Sequence, residues 1–418
     1  METIRLDEGL SRTVLPNGLT ILTESMPGVR SIAAGIWVQS ASAHEPRGKM
    51  GVAHLLEHMV FKGTERRTAR QLALELECRG GALDAYTSRD HTNYQAHVLS
   101  EDLPRALDVL TDLVRRPLLL DQDLALERNV VLEEIATVED TPDDQVFELF
   151  SDRLWPDHPY GYSILGTRDT VGNLSAGDLR AAHQSGYYPG NCVVAVAGQL
   201  EHQRVLDLLA AEGWFETAAS VPPRAPVAST AAVRGREHRV QRDSAQTHLV
   251  FGSDTFPYRD PRRFALSIIT NVFGGGMSSR LFQRIREELG LAYGVYAYQQ
   301  FFRSAGVAGV YVGTQPATAD QAAQAIGVEY RRLAREGLSR DEVEAGRQQL
   351  KGQVILALET PQSRMARLAT QALQGEPYRP LETILAEIAA VTRDQIADLS
   401  REFFDPERQV VVRLGPEQ

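Results

Sequence analysis

Cysteine is almost absent from the 418 residues: Cys78 and Cys192 are the only two, without C-x-x-C spacing. Two isolated thiols exclude a disulfide framework and a cysteine zinc cage, and they suit a reducing compartment. Long apolar runs are missing as well. The longest candidates, SIAAGIWV and CVVAVAG, fall well short of the roughly 18 residues needed to cross a bilayer, so no membrane association is expected. The start, METIRLDEGLSRTVLPNGLTIL, has acids where a signal peptide needs a basic region and lacks a continuous apolar core. Positive charge is also in deficit. Against 55 Asp and Glu stand 44 Lys and Arg, a net charge of -11, and the basic residues, nearly all Arg, are scattered among acids. No phosphate-tracking face is present, so nucleic acid is not an expected partner. The expected location is the cytoplasm.

With 43% hydrophobic and 24% charged residues, the composition is that of a soluble globular protein. The length predicts two or three domains. Short β-rich stretches bounded by turns read as strands: TVLPNGLTILTES with its Asn17-Gly18 hairpin signal, RSIAAGIWVQ, NYQAHVL and NCVVAVAGQ. Between them ARQLALELECRGG, SEDLPRALDVLTDLVRRP and DQDLALERNVVLEEIATVED repeat apolar residues at three and four, the helical period. The fold class is α+β or α/β. Residues 218–236, rich in Pro, Ala and Ser, read as a linker. They divide the chain into two halves of roughly 210 residues, with domains at 1–217 and 237–418. Thr141-Pro142 and Thr360-Pro361 close similar helical patterns at an offset of 219, which points to an internal duplication. The same offset carries His54–His58 onto FGGGM at 273–277, so the second copy is expected to lack the histidines. That GGG has neither phosphate-loop spacing and reads as a close-packed or flexible turn.

The stretch GVAHLLEHMVFKG holds His54 and His58 four apart with Glu57 between them. On a helix, residues at this spacing stack on one face, where both imidazoles can reach one cation. Glu57 lies about 100° around, poorly placed to ligate but able to lean over an open coordination position as a base. H-x-x-E-H is the reversed zincin pattern. Composition alone would produce it in about 2% of such chains, and two helix-face histidines beside a solvated glutamate are the alternative. A third ligand must decide, and with cysteine excluded it is His, Asp or Glu. Glu127 and Glu134 are seven apart and nearly in line along a helix. Glu134 is a candidate ligand, Glu127 a candidate partner for an imidazole, and Glu133, about 100° away, a weaker ligand. The bland alternative for these acids is a solvated helix face.

HLLEHMVFKGT, GGALDAYTSRDHTNYQAHVL, ERNVVLEEI, HPYGYSILGT and FGGGMSSRLFQRIREELGLAYGVYAY together resemble the pitrilysin (M16-type, inverzincin) family of zinc peptidases. The likeness is to the mitochondrial processing peptidase subunits and their short bacterial relatives, and it spans most of the chain. It implies a fold of two similar α/β sandwich domains and one Zn2+ per chain on His54, His58 and a glutamate 76 residues beyond the second histidine, which is Glu134. It gives Glu57 the role of base and proton shuttle and Glu127 that of the accessory catalytic glutamate. LDAYTSRDHTNYQAHV matches the edge strand onto which the family's substrates are added, making Ala85 and Tyr86 candidate substrate contacts. Arg286 and Tyr293 match the family's substrate-binding Arg/Tyr pair in the second half. His91 and His97, on the expected edge strand, and His158 lack ligand spacing and are assigned to packing and hydrogen bonding.

The resemblance thus implies a bacterial metalloendopeptidase or oligopeptidase for unfolded peptides, working in a closed chamber. Because one chain carries both half-sites, a homodimer is expected, with Arg286 and Tyr293 acting on the partner's zinc site. The competing expectation is a noncatalytic core or substrate-presenting subunit of a heteromeric processing peptidase or respiratory complex.

Overall fold

The computed structural model describes residues 2–216, 221–229 and 231–417. Residues 218–220 and 230 of the expected linker lie outside the described residues. The strands are β1 (Glu2–Asp7), β2 (Leu10–Val14), β3 (Thr20–Ser25), β4 (Ser31–Val38), β5 (Ala82–Thr87), β6 (Thr92–Leu99), β7 (Cys192–Gly198), β8 (Glu237–Gln241), β9 (Thr247–Thr255), β10 (Ala292–Phe301), β11 (Gly306–Thr314) and β12 (Val410–Gly415). The helices begin with α1 (Val52–Val60), α2 (Ala69–Glu77), α3 (Leu103–Arg115), α4 (Asp121–Asp140), α5 (Pro142–Leu154), α6 (Arg168–Asn173) and α7 (Ala176–Gly186). They continue with α8 (His202–Ala211), α9 (Arg263–Gly274), α10 (Ala319–Glu336), α11 (Arg340–Leu356), α12 (Pro361–Leu373), α13 (Leu381–Ala390) and α14 (Arg393–Phe403).

These elements form two compact units. The first comprises Met1–Ile135, Ser163–Pro226 and Leu356–Tyr378; the second comprises Ala136–Tyr162, Val227–Ile355 and Arg379–Gln418. The units do not divide the chain at one point: α5 belongs to the second and α12 to the first.

The first unit is built on a seven-stranded sheet of order β1-β2-β3-β7-β4-β6-β5. Its central strands SIAAGIWV and CVVAVAG are buried almost throughout, as strands covered on both faces must be. Alternation sorts their side chains. Ile32, Ala34, Ile36, Val38, Val194 and Val196 pack with residues of α1, α3, α7 and α8, while Ala33, Trp37, Val193, Ala195 and Ala197 pack against Met365, Leu368, Ala369 and Leu373 of α12. Between Ile36 and Ala34 stands Gly35, where an added Cβ would lie 2.6 Å from the Trp37 ring. Among the described residues, β5 is the free edge on this side. The segment expected as one edge strand is two strands, because β6 pairs with both β4 and β5; His97 is therefore on an interior strand and His91 in the turn before it.

The second unit has the order β10-β11-β9-β12-β8. It repeats β5-β6-β4-β7-β3, including the parallel pair at the far end. Here α5 covers the outer face, close enough that a Cβ on Gly252 would lie 2.6 Å from the Phe150 ring. The duplication is thus visible in topology. The offset of 219 holds for α5 and α12, both preceded by Thr and starting at Pro, but it does not hold through α1. The helix following β9, as α1 follows β4, is α9, and FGGGM is only its last turn and the loop beyond. Loops of unequal length between β4 and β6 shift the register, which a single offset cannot express. The helix RFALSIITNVFG has no histidine. At its end Gly274 approaches the β10 backbone, where a Cβ would lie 2.3 Å from the Ala297 nitrogen.

Candidate metal centre

Helix α1 is anchored by Leu55, Leu56, Met59 and Val60, each at most 1% exposed and each contributing roughly 1.5–3 kcal/mol by burial. With that face committed, His54, Glu57 and His58 stand at the margin of the core. Gly51 precedes the helix at φ 88°, a left-handed conformation that glycine adopts without strain, and a Cβ there would lie 2.5 Å from the Leu165 carbonyl oxygen. No side chain of that residue can cap the helix. The buried Glu45 carboxylate does so instead, accepting from Gly51 N at 2.8 Å and Ala53 N at 2.7 Å. Burial pushes Glu45 up to about 8 against the pull of those two N–H groups.

Opposite α1, α4 buries Leu124, Glu127, Val131 and Ile135, and this stripe turns Glu127 and Glu134 toward the histidines. Glu134 Oε2 is 3.6 Å from His54 Nε2, and its Oε1 is 3.6 Å from His58 Nε2. One donor atom from each of the three side chains lies within 4.8 Å of the others. At 3.6 Å these are not hydrogen bonds. The separations are close to the roughly 3.3 Å expected between ligands about 2 Å from a tetrahedral ion. Burial, then the neighbouring His58, pulls His54 down to about 4, so its imidazole is neutral and has a lone pair to give. His58 Nδ1 lies 3.2 Å from Glu127 Oε2, and donating that N–H leaves Nε2 free to ligate. The donor set of two neutral imidazoles and one carboxylate fits zinc. Glu133 is exposed on the same helix.

Glu57 is not in the ligand cluster. Its Oε2 accepts from Thr87 Oγ1 at 2.6 Å, and burial raises it above the ordinary carboxylate range while Thr87 and His58 pull it down. Thr87 ends β5, the free edge strand, so Glu57 is tied to that strand. On β5, Leu83, Ala85 and Thr87 alternate with the exposed Ala82, Asp84 and Tyr86. Tyr86 is 41% exposed, and its hydroxyl lies 3.4 Å from both Trp37 Nε1 and His91 Nε2; it is not a core aromatic. Arg286 and Tyr293 are brought together in the second unit. The Arg286 guanidinium lies 4.5 Å from the centre of the Tyr293 ring and 4.7 Å from that of Phe282, and Tyr293 is 81% exposed. His158 is hydrogen-bonded to the Ala228 carbonyl and the Tyr160 N–H.

Thr87, Glu45 and Lys62, whose ammonium contacts Glu127 Oε1, carry no signal in the sequence. A hydroxyl at a strand end, a lysine past a helix and an acid before one have no diagnostic spacing.

Fold and site together define a duplicated α+β protein with a two-histidine, one-glutamate group that could hold a metal ion and an adjacent carboxylate. The chain belongs to peptidase family M16. The sequence model described as insulinase (peptidase family M16) matches residues 20–168, and that of the peptidase M16 inactive domain matches residues 173–350. An uncharacterized zinc protease of Streptomyces coelicolor is 37% identical over 412 residues, covering 97% of this chain and 89% of the relative. The uncharacterized zinc protease YmxG of Bacillus subtilis is 35% identical over 395 residues, covering 94% and 96%. Among solved structures, a peptidase M16 inactive domain from Pseudomonas fluorescens superposes with a TM-score of 0.91 at 19% identity, covering 98% of each chain. A protease from Helicobacter pylori gives 0.88 at 21%, covering 97% of this chain and 99% of that one. At such identities they attest the fold. No helix among the described residues is long and apolar enough to cross a membrane.

Proposed function

We propose that this protein is a zinc-dependent peptidase that hydrolyses unfolded peptides, with one zinc per chain on His54, His58 and Glu134. The observation that carries this reading is the convergence of those three donors beside a separate carboxylate, Glu57, held off the ligand cluster by Thr87. When bound, zinc supplies Lewis-acid polarisation of a peptide carbonyl and acidifies water. Glu57 takes the proton of the attacking water and delivers it to the leaving amine. The free edge of β5 binds substrate backbone as an added strand, giving affinity with little sequence demand, while Ala85 and Tyr86 contact side chains at alternate positions. Arg286 and Tyr293 serve as substrate donors: Tyr293 to a developing oxyanion, Arg286 to a substrate carbonyl.

The partner is a second copy, each chain lending Arg286 and Tyr293 to the other's zinc site in a closed chamber. Having both sets of residues in one chain supports this arrangement. A cytoplasmic location is supported by two free cysteines, one exposed and one buried. The decisive experiment is Glu57→Gln: zinc and peptide binding stay at the wild-type level while hydrolysis falls about 100- to 10,000-fold. Wild-type turnover in that variant refutes the assignment.

A further inference from the structure

Lys62 lies just past the end of α1, and its ammonium contacts Glu127 Oε1. The other oxygen, Oε2, faces His58 Nδ1 at 3.2 Å. The Glu127 side chain is only 8% exposed, that of Lys62 36%. A carboxylate turns about a soft, roughly two-fold terminal torsion, so one held at a single oxygen can rotate its second oxygen off target. Held at both, its plane is fixed and Oε2 stays aimed at the imidazole N–H. That hydrogen bond selects the His58 tautomer whose Nε2 lone pair faces Glu134. Lysine suits this position because an ammonium is a compact charge that takes one oxygen, whereas a guanidinium fork tends to engage both and would compete with His58. Arginine is this chain's cation nearly everywhere else. Of its 44 basic residues, only Lys49, Lys62 and Lys351 are lysine.

We propose that Lys62 is a positioning residue of the metal centre, acting through Glu127 to fix the imidazole of His58. The inference rests on the zinc reading and adds to it a residue that touches neither ion nor substrate. Charge alone predicts the opposite sign, because an ammonium near a divalent cation repels it and its removal should tighten binding.

The test is zinc affinity, measured without substrate by competition against a chelating indicator, in wild type, Lys62→Met, Lys62→Gln, Glu127→Gln and the double variant Lys62→Met/Glu127→Gln. Both Lys62 variants should weaken zinc about 10- to 100-fold, with the metal-free melting temperature unchanged. In the Glu127→Gln background, Lys62→Met should change zinc affinity less than about threefold, since the group it acts through is gone. Unchanged or tighter zinc binding in the single variants overturns the proposal. So does an equal loss in both backgrounds, or a loss matched by a fall in metal-free stability. If wild type itself binds no zinc, the zinc reading falls and this inference with it; wild-type binding with indifferent Lys62 variants defeats this inference alone.

Discussion

Replacing Thr87 with Val removes one hydroxyl from the end of β5 and leaves the β-branched shape suited to a strand. Among the described residues this hydroxyl is the one side-chain donor on the Glu57 carboxylate, at 2.6 Å. A hydrogen bond to a charged group contributes about 1.5–3 kcal/mol, and each 1.4 kcal/mol or so is a factor of ten in rate. If the bond holds Glu57 where it can take and return a proton, Thr87→Val should lower kcat about 10- to 150-fold. KM should stay within about twofold, because the backbone that would pair with a peptide is untouched. Thr87→Ser restores the donor and should recover most of kcat. The assay is steady-state cleavage of an internally quenched peptide, with zinc content measured on the same samples. Full kcat in the Val variant, a loss confined to KM, or a Ser variant as impaired as Val would refute the role.

Two other expectations follow from the geometry. Glu45 in the folded protein is pushed up to about 8 from an ordinary value of 4.5, so its contribution to stability is complete below about pH 4.5 and is lost as pH rises toward 8, by up to about 5 kcal/mol. Glu45→Gln should flatten that part of the profile. An amide nitrogen facing one of the two N–H groups costs about 1–3 kcal/mol, so the variant should be less stable than wild type at pH 5 and gain on it by pH 9 in urea unfolding; parallel curves would contradict the linkage. For the dimer, mixing inactive Glu57→Gln chains with inactive Arg286→Ala chains should restore activity in verified hybrids, and silent hybrids would argue against pairing in trans.

What the sequence made legible was what repeats along one element. The pattern 121–140 is α4 itself, and the seven-residue spacing of Glu127 and Glu134 holds because positions two turns apart return to one face. The four-residue spacing of His54 and His58 likewise put both rings together, 4.7 Å between centroids. Contacts between elements were not legible. Thr87 meets Glu57 across 30 residues, and nothing local marks it. Strand β1, mostly exposed along ETIRLD, alternates only Ile4 and Leu6 with polar residues, too short a pattern to announce it. Whether β5 or β6 holds the free edge depends on which strand pairs with β4, and that is decided by packing across the whole sheet. The periodicity of α5 and α12 shows a helix with a buried stripe without showing which sheet the stripe covers.

The second copy shows how little of the fold is needed to make or lose the site. At the offset that aligns the starts of α4 and α11, Glu127 corresponds to Gly346 and Glu134 to Gln353. A Cβ on Gly346 would lie 2.7 Å from Ile268 Cγ2 on α9, so the two helices touch directly where the first copy inserts a carboxylate. Gln353 Oε1 accepts a hydrogen bond from Asn271 Nδ2 at 2.9 Å, a neutral bond between the same two helices where the first copy sets Glu134 against two imidazoles. Without the carboxylates, α11 lies directly on α9. Keeping them leaves Glu134 3.6 Å from both imidazoles without a hydrogen bond to either, an arrangement that the proposed cation would stabilise. On the proposed reading, metal binding is a property of positions 54, 58, 127 and 134, with Lys62 holding Glu127, and the shared scaffold supplies the helix pair that brings them together.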